Sequence, residues 1–189
     1  MEKAAETLDQ AGWLKNDKGI REKDGQKLQL SLLYNSDSVT EKIISEYLQS
    51  EYKKIGVEIS IAGEEEQSYR DKMKTGNFDM VFNICWGTPY DPQSSLAAMR
   101  QPVYGDYAAQ LGLEDKKEID EAITKILVST DEKERQYLYT FVLTRLHEDA
   151  VYIPLTYECN KAIYNSALKG VNFTQTQYEV PFADMYFEK

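Results

Sequence analysis

The chain has 189 residues, 42% of which are hydrophobic, and this is enough for one domain with a sizeable core. Its 22 lysines and arginines are outnumbered by 32 aspartates and glutamates, which gives a formal net charge of −10. A surface of that charge would repel nucleic acids and anionic membranes, so neither is an expected partner. No apolar run approaches the roughly 18 residues that cross a bilayer, and the N-terminus lacks the basic and apolar regions of a secretory signal. The sequence therefore predicts a soluble globular protein.

The first half of the chain has the pattern of two consecutive β-α-β units. Apolar alternation marks the strands, and apolar residues at helical spacing, preceded by capping residues and followed by glycines, mark the helices. The chain begins with a predicted helix over residues 4–13 and a charged loop or loose hairpin over residues 14–27. Strands are predicted over residues 28–34, 57–62 and 78–86. Between them lie a helix that begins at Ser38 with Glu41 and ends at Gly56, and a short helix that is framed by Ser68 and Asp71 and ends at Gly76. Since both connections are crossovers, the pattern predicts an α/β fold with a mostly parallel sheet flanked by helices.

The second half of the chain has helical patterns first and strand patterns afterwards. The predicted elements are a brief helix over residues 93–99, an irregular loop over residues 101–113, an antiparallel pair of helices capped by Asp115 with Glu118 and by Thr130 or Asp131, strands over residues 151–157 and 161–164, and a tail over residues 171–189 with no clear period. Long irregular loops in compact domains often carry function, so the tyrosine-containing loop is a candidate binding loop.

The predicted fold is organised around residues 77–100. Residues 78–86 are almost continuously apolar, aromatic or β-branched, which is typical of a central strand buried on both faces. This strand ends at Gly87, where a run with two prolines forces a turn. Because ligands of open α/β sheets bind beyond the carboxyl ends of the strands, Trp86 and Tyr90 are expected where a ligand would bind.

Trp86, Tyr90, Arg100 and Tyr104 form the candidate ligand-binding set. Aromatic rings beside a Gly-Pro turn can line a pocket at low entropic cost, and an arginine can bind a ligand carboxylate through two nitrogens. The alternative is that Trp86 and Tyr90 cover the edge of the core while Arg100 pairs with an acidic residue. Composition does not distinguish the two, because apolar pockets and core edges use the same residue types.

Metal-binding and catalytic patterns are largely missing from the sequence. His147 is the one histidine, so it has no partner at metal-ligand spacing, and we expect it to be a helix-end or packing group. No phosphate-binding loop, GxSxG elbow or dinucleotide motif is present. A hydrolase that uses Cys85 and His147 is the alternative from another class. The sequence therefore predicts a protein that is not an enzyme and has no cofactor.

Two further groups of reactive side chains are predicted to be structural. Cys85 and Cys159 are the only cysteines and both fall in predicted strands, so buried thiols are expected and a disulfide between neighbouring strands is the alternative. Glu64, Glu65 and Glu66 precede a predicted helix, where carboxylates are stabilised by its positive N-terminus. Three adjacent side chains rarely converge on one metal ion, so a metal site is the lesser interpretation of these glutamates.

Four segments of the chain carry a family resemblance. They are LDQAGW at residues 8–13, REKDGQKLQL at residues 21–30, GEEEQSYRDKMKTGNFDMVFNICWGTPYDPQSSLAAMR at residues 63–100 and LTRLHEDAVYIPLTY at residues 143–157. Together they resemble the nickel-binding members of the peptide/nickel group of extracellular solute-binding proteins, which serve ABC importers. The similarity spans nearly the whole chain.

The resemblance implies a two-lobed type II periplasmic-binding-protein fold that closes on its ligand about a hinge. Residues 1–170 would be the C-terminal lobe, and residues 171–189 would return toward the first lobe. In the nickel-binding relatives, rings matching Trp86 and Tyr90 line the cleft around a nickel complex, which an arginine of the other lobe helps to hold. A histidine that touches the metal in a relative aligns with Tyr104, which leaves open nickel held by a small organic chelator such as histidine or a metallophore, or a peptide ligand instead.

The resemblance also implies partners and a location. ABC transporter permease subunits are the expected protein partners, and the receptor is expected to be a monomer. It would work on the extracellular face of the cell membrane through a lipid anchor, or in the periplasm. A dipeptide or oligopeptide receptor of an ABC importer is the alternative function.

Overall fold

The computed structural model describes residues 1–84, 92–103, 105–157, 159, 161–174 and 179–188. Its helices are α1 (Glu2–Gln10), α2 (Val39–Lys54), α3 (Glu66–Thr75), α4 (Gln93–Ala98), α5 (Gly105–Ala109), α6 (Lys116–Val128) and α7 (Glu132–Glu148), with a 3-10 turn at Phe182–Asp184. Its strands are β1 (Leu14–Lys15), β2 (Arg21–Lys23), β3 (Gln26–Lys27), β4 (Gln29–Asn35), β5 (Glu58–Glu64), β6 (Met80–Val81), β7 (Leu168–Lys169) and β8 (Tyr186–Phe187). Within these described ranges, no helix is both long enough and apolar enough to cross a membrane.

A parallel three-stranded sheet forms the first half of the chain, in the order β5-β4-β6. Leu30 of β4 lies opposite Ile59 of β5, and Leu33 of β4 lies opposite Val81 of β6. α2 connects β4 to β5, and α3 connects β5 to β6. The two predicted crossovers and the parallel α/β sheet are therefore confirmed.

The central strand of this sheet is β4, so the prediction of a central strand over residues 78–86 is wrong. Leu32 and Leu33 are neighbours in β4, point to opposite faces and are 3% and 2% exposed. Both faces of β4 are therefore covered. Leu32 packs beneath α1 and α2, whereas Leu33 packs with Tyr69 and Met73 of α3.

β6 is a short edge strand whose residues are half-buried, and the chain beyond it is exposed at Asn83 and Ile84. Its pairing with β4 covers Met80 and Val81, and Asp79 lies directly before it. The Asp79 carboxylate accepts hydrogen bonds from the amide of Ser31 at 2.7 Å and from its hydroxyl at 2.8 Å. This amide is therefore bonded to a side chain just before the ladder begins. Residues 85 and 86 of the predicted strand lie outside the described residues.

Two of the predicted helix caps are confirmed. The Ser38 hydroxyl accepts a hydrogen bond from the Glu41 amide at 3.2 Å and caps α2. The Asp131 carboxylate caps α7 by accepting from the amides of Lys133 and Glu134. Each cap satisfies amides that the first helical turn leaves without a partner.

Two other predicted caps are wrong. Glu65, and not Ser68, caps α3, since its carboxylate accepts from the Ser68 amide at 2.9 Å. Asp115 precedes α6 without a capping hydrogen bond and instead pairs with Arg145 at 2.5 Å. The structural interpretation of the glutamates before α3 is confirmed, because one of them is the cap itself.

α6 and α7 form the predicted antiparallel pair. The bond between Asp115 and Arg145 joins the start of α6 to the end of α7, and Ile123 and Val142 between the helices are both 0% exposed. Leu96 of α4 is buried in the same hydrophobic cluster. α4 therefore packs on the helical pair, and its cluster is separate from those beside the sheet.

The predicted irregular loop over residues 101–113 is wrong in its middle, which forms α5. Gly105 begins this helix and is buried. A Cβ atom at Gly105 would lie 3.1 Å from Met73 Cε and 3.5 Å from Val81 Cγ1. The missing side chain lets α5 lie close against α3 and the edge strand.

β1, β2 and β3 form a small antiparallel sheet, in agreement with the predicted loose hairpin. Arg21 in β2 is 1% exposed, although the charged sequence around it predicted no core residue. Its guanidinium donates hydrogen bonds to the carbonyls of Ala5, Trp13 and Ile55 and to the carboxylate of Asp9. The hairpin, α1 and the end of α2 therefore meet at one buried cation.

The chain after α7 does not form the predicted strands over residues 151–157 and 161–164. In the described part of this region the paired strands are β7 and β8, with Leu168 opposite Phe187, so part of the tail has regular structure. Alternating apolar side chains need a surface to pack on, and here many are exposed. The most exposed are Ile153 (66%), Tyr157 (97%), Ile163 (103%), Phe182 (74%) and Phe187 (68%).

Candidate ligand-binding site

The structure describes one of the four predicted site residues, Arg100, whereas Trp86, Tyr90 and Tyr104 lie outside the described residues. Arg100 follows α4, is exposed, and its amide donates to the Ala97 carbonyl at 3.2 Å. Among the described residues its guanidinium has no hydrogen bond or ion pair. The alternative in which Arg100 pairs with an acidic residue therefore finds no such pair in this part of the chain.

Two described segments flank the predicted site residues along the chain. Residues 82–84 lead from β6 to the predicted turn, and α5 begins directly after Tyr104. These segments touch each other: Asn83 Nδ2 donates a hydrogen bond to Asp106 Oδ2 at 2.9 Å. The backbone that enters the turn is therefore joined to the helix that follows Tyr104.

A second contact holds the other end of α5. Gln110 is 0% exposed, and its Nε2 donates to the Tyr152 hydroxyl oxygen at 2.7 Å. That hydroxyl in turn donates to the backbone carbonyl of Asp106 at 3.5 Å. Burial raises the pKa of Tyr152, and the charge of Asp106 raises it further, so the hydroxyl keeps its proton at neutral pH.

The carboxyl ends of β4 and β5 are occupied by the protein's own polar groups. The Asn35 amide donates to Glu41 Oε2 at 2.8 Å, and Asn35 Nδ2 donates to Glu66 Oε2 at 2.5 Å. Glu64 accepts a hydrogen bond from Lys72, which lowers the pKa of that carboxyl group. These groups therefore bond to one another, whereas the end of β6, at the same edge of the sheet, leads into the predicted turn that carries Trp86 and Tyr90.

The alternative catalytic residues have ordinary surroundings where they are described. His147 is exposed in the last turn of α7, as predicted for a helix-end group. Cys159 is a free, exposed thiol, so its predicted burial and the alternative disulfide are both wrong. Cys85 lies outside the described residues, and its pairing with His147 stays an alternative. The described residues contain no group of three or more His, Cys, Asp or Glu side chains that could hold a metal ion.

Four residues of this region were not predicted from the sequence: Asn83, Asp106, Gln110 and Tyr152. One signal for them was available, because Asp106 and Gln110 are four residues apart and lie on one face if the segment is helical. The surrounding glycines and tyrosines pointed to a loop instead. Asn83 and Tyr152 gave no signal, since their partners are distant in sequence.

Comparison with known proteins identifies the family. Residues 1–106 match the model of the bacterial extracellular solute-binding proteins, family 5 Middle. The chain belongs to this family. The resemblance found in its sequence motifs is therefore confirmed.

Relatives of this solute-binding protein include nickel proteins. The nickel-binding periplasmic protein of Escherichia coli K12 is 40% identical over 182 residues, which cover 96% of this chain and 35% of that protein. NikA from Brucella suis, solved in complex with Fe(III)-EDTA, superimposes with a TM-score of 0.85 at 42% identity, over 98% of this chain and 37% of that one. NikZ from Campylobacter jejuni, solved in complex with Ni(L-His), superimposes with a TM-score of 0.67 at 27% identity, over 90% of this chain and 34% of that one.

These superpositions confirm the predicted fold class, a lobe of the type II periplasmic-binding-protein kind. The chain of this solute-binding protein spans about a third of the length of these three relatives, between 34% and 37%.

Proposed function

We propose that this chain is one lobe of the substrate-binding component of an ABC importer and that it captures nickel as a complex with an organic chelator. The observation that carries the proposal is what the solved relatives hold, namely Fe(III)-EDTA in NikA from Brucella suis and Ni(L-His) in NikZ from Campylobacter jejuni. In both ligands an organic molecule with carboxylates already surrounds the metal. A receptor for such a complex recognises the chelator, and this suits a chain that has a single histidine.

The predicted site residues have matching chemistry. In this proposal the rings of Trp86, Tyr90 and Tyr104 contact the flat faces of the chelate, and the guanidinium of Arg100 binds a chelator carboxylate. Arg100 is suited to this because it is exposed and its side chain has no partner among the described residues. Nickel is cargo here, so the protein needs no cofactor and changes no bond of its ligand, and it is not an enzyme.

The proposal includes a second lobe. Residues 1–170 form the C-terminal lobe, and residues 171–189 return toward the other one. Two observations support this arrangement: the relatives are about three times as long, and large apolar side chains such as Tyr157 and Ile163 are exposed after α7. Exposed apolar surface of this extent is typical of a face that another part of a protein covers. The complete receptor is a monomer that delivers its ligand to permease subunits, in the periplasm or from a lipid anchor on the extracellular face.

The test is a chimera in which this chain replaces the matching 35% of the Escherichia coli nickel-binding periplasmic protein. Calorimetry would compare nickel with L-histidine, nickel alone and short peptides. We expect the chimera to bind nickel with L-histidine within about tenfold of the affinity of the unaltered protein. A folded chimera that binds short peptides and shows no response to nickel would overturn the nickel assignment and favour the dipeptide or oligopeptide receptor.

Arg100 provides a matched pair of variants in the same chimera. Arg100→Gln removes one charge-assisted hydrogen bond to the ligand, so the dissociation constant should rise about tenfold to a hundredfold. Arg70→Gln removes an exposed arginine that pairs with Glu66 on α3 and should leave the affinity unchanged. Equal effects of both substitutions would contradict the role of Arg100.

The isolated chain is expected to fold and yet to bind the chelate at least about a hundredfold more weakly than the chimera. Half of a closing cleft lacks the contacts and the exclusion of water that the other half supplies. Tight binding by this chain alone would show that the second lobe is not needed.

A further inference from the structure

We propose that Asn83, Asp106, Gln110 and Tyr152 are positioning residues of the ligand site, because they hold α5 against the end of β6 and thereby fix the backbone next to Trp86 and Tyr104. This role deepens the proposed function and rests on it for the identity of the site. The four residues are defined here as the α5 clamp.

The first contact of the α5 clamp joins the two stretches of chain beside the predicted site residues. Asn83 comes three residues before Trp86, and Asp106 comes two residues after Tyr104. Their side chains are joined by the hydrogen bond from Asn83 Nδ2 to Asp106 Oδ2, at 2.9 Å. This bond to a carboxylate sets the separation of the two stretches, although they are 23 residues apart in sequence.

The second contact joins α5 to the segment that follows α7. Tyr152 follows α7, and its hydroxyl accepts from Gln110 at 2.7 Å while donating to the Asp106 carbonyl at 3.5 Å. Asp106 lies in the first turn of α5, and Gln110 directly follows its last residue. The Tyr152 hydroxyl is therefore bonded at both ends of the short helix.

Close packing at Gly105 is the third feature that holds α5 in place. Gly105 approaches Met73 and Val81 so closely that a Cβ atom would lie 3.1 Å from Met73 Cε. The close packing of Gly105 against the sheet side and the two contacts of the clamp therefore act together on α5. In the sequence, Tyr104 directly precedes this packed glycine.

Gln110 takes part in the clamp although one of its polar atoms is left unpaired. Among the described residues, its buried Oε1 atom has no hydrogen-bond partner. A buried amide oxygen left unpaired lowers stability, because it has given up its hydrogen bonds to water and gained none in return. Turning the amide over would take the single hydroxyl proton of Tyr152 away from Asp106 and would leave the amide N–H groups unpaired instead. We attribute the retention of this costly group to the position that it gives α5.

The experiment uses Trp86 as a reporter. The chain has two tryptophans, so Trp13→Phe leaves Trp86 as the only indole. In that background Asn83→Asp places two carboxylates side by side, and adding Asp106→Asn restores one donor and one acceptor. We expect Asn83→Asp to lower the fluorescence anisotropy of Trp86 and, in the chimera, to weaken binding of nickel with L-histidine about tenfold. The double variant should return the affinity to within about threefold of the parent.

The matched control is Asn16→Asp. Asn16 Nδ2 donates to Glu22 Oε2 at 3.2 Å in the N-terminal hairpin, so the substitution creates the same repulsion away from the site. A second pair compares Tyr152→Phe, which removes the hydroxyl of the clamp, with Tyr52→Phe, which removes the hydroxyl of a partly buried tyrosine of α2 that packs on the cluster beside the sheet. Only the clamp variants should lower the Trp86 anisotropy.

Three outcomes would overturn the positioning role: an unchanged Trp86 anisotropy in Asn83→Asp and Tyr152→Phe, an equal change in the control variants, or a double variant that recovers neither anisotropy nor affinity. The fluorescence measurement needs no ligand. A chimera that binds no nickel chelate would therefore refute the proposed function, while the Trp86 anisotropy would still decide whether the clamp positions this segment.

Discussion

Replacing Arg21 by methionine is expected to lower the free energy of unfolding by about 3–5 kcal/mol. The Arg21 side chain is 2% exposed, and its nitrogens donate to the carbonyl of Ile55 at 2.7 Å, to that of Ala5 at 3.1 Å and to that of Trp13. Methionine fills much of the same volume but has no donor. The substitution therefore leaves these buried carbonyl oxygens without the partner that joins α1, the hairpin and α2.

The expected loss of stability depends on which carbonyl oxygens lose their hydrogen bond to Arg21 without another donor to replace it. A hydrogen bond from a charged donor contributes about 1.5–3 kcal/mol net. The carbonyls of Trp13 and Ile55 lie outside regular helix and lose a full bond, whereas Ala5 lies within α1, where the helix supplies another donor. Asp9 is 53% exposed, so its ion pair with Arg21 contributes at most about 1 kcal/mol.

Urea denaturation followed by circular dichroism and tryptophan fluorescence would measure the effect. With a slope of roughly 2 kcal/mol per molar urea, Arg21→Met should lower the midpoint by about 1.5–2.5 M. Asp9→Asn is the control and should cost less than about 1 kcal/mol. The reasoning would be refuted if Arg21→Met cost less than that, or if both substitutions cost the same, since the exposed ion pair and not the buried carbonyls would then carry the stability.

Three further predictions concern other parts of the chain. Gly170→Ala should abolish the protection of the β8 amides from hydrogen exchange, because Gly170 has a φ of 74° and a Cβ atom there would lie 1.8 Å from the Asp184 carbonyl oxygen. The control Gly112→Ala should leave this protection unchanged, because a Cβ atom at Gly112 would meet no described atom within 4 Å. Asp131→Ala should lower the free energy of unfolding by about 1 kcal/mol through loss of the α7 cap, and an unchanged melting temperature would contradict this. Burial raises the pKa of Tyr69, so this phenol ionises at a lower pH in the unfolded chain than in the folded one, and the free energy of unfolding should fall as the pH rises above about 10. Tyr69→Phe should make this fall shallower, and urea denaturation at several pH values would measure it.

The sequence predicted the β-α-β units well because they follow from local patterns. Alternation in β4 and β5, the cap at Ser38 and the αL glycine at Gly76 each act within a few residues, and each has its expected role. The order of the strands in the sheet could not be predicted in the same way, because it depends on which strand has two neighbouring strands. The apolar run over residues 78–86 indicates that its side chains are buried, but it does not indicate how many strands pair with that segment.

The missed parts of the candidate site and the missed strands depend on distant partners. Asn83 and Asp106 are 23 residues apart, and Gln110 and Tyr152 are 42 residues apart, so no periodic pattern connects them. The alternation over residues 151–157 is real, yet it forms no strand among the described residues, because a strand also needs a neighbour to pair with and a surface to cover.

The cluster that holds α4 has a mechanical consequence for ligand capture. Before residue 85 the chain is anchored on the sheet through β6, and after residue 91 it is anchored through Leu96 on the α6 and α7 helices. Along the chain, the segment that carries Trp86 and Tyr90 thus joins two separate cores. If these two residues contact the ligand as proposed, substitutions deep in either core can alter ligand affinity without touching the ligand, because each core anchors one end of that segment.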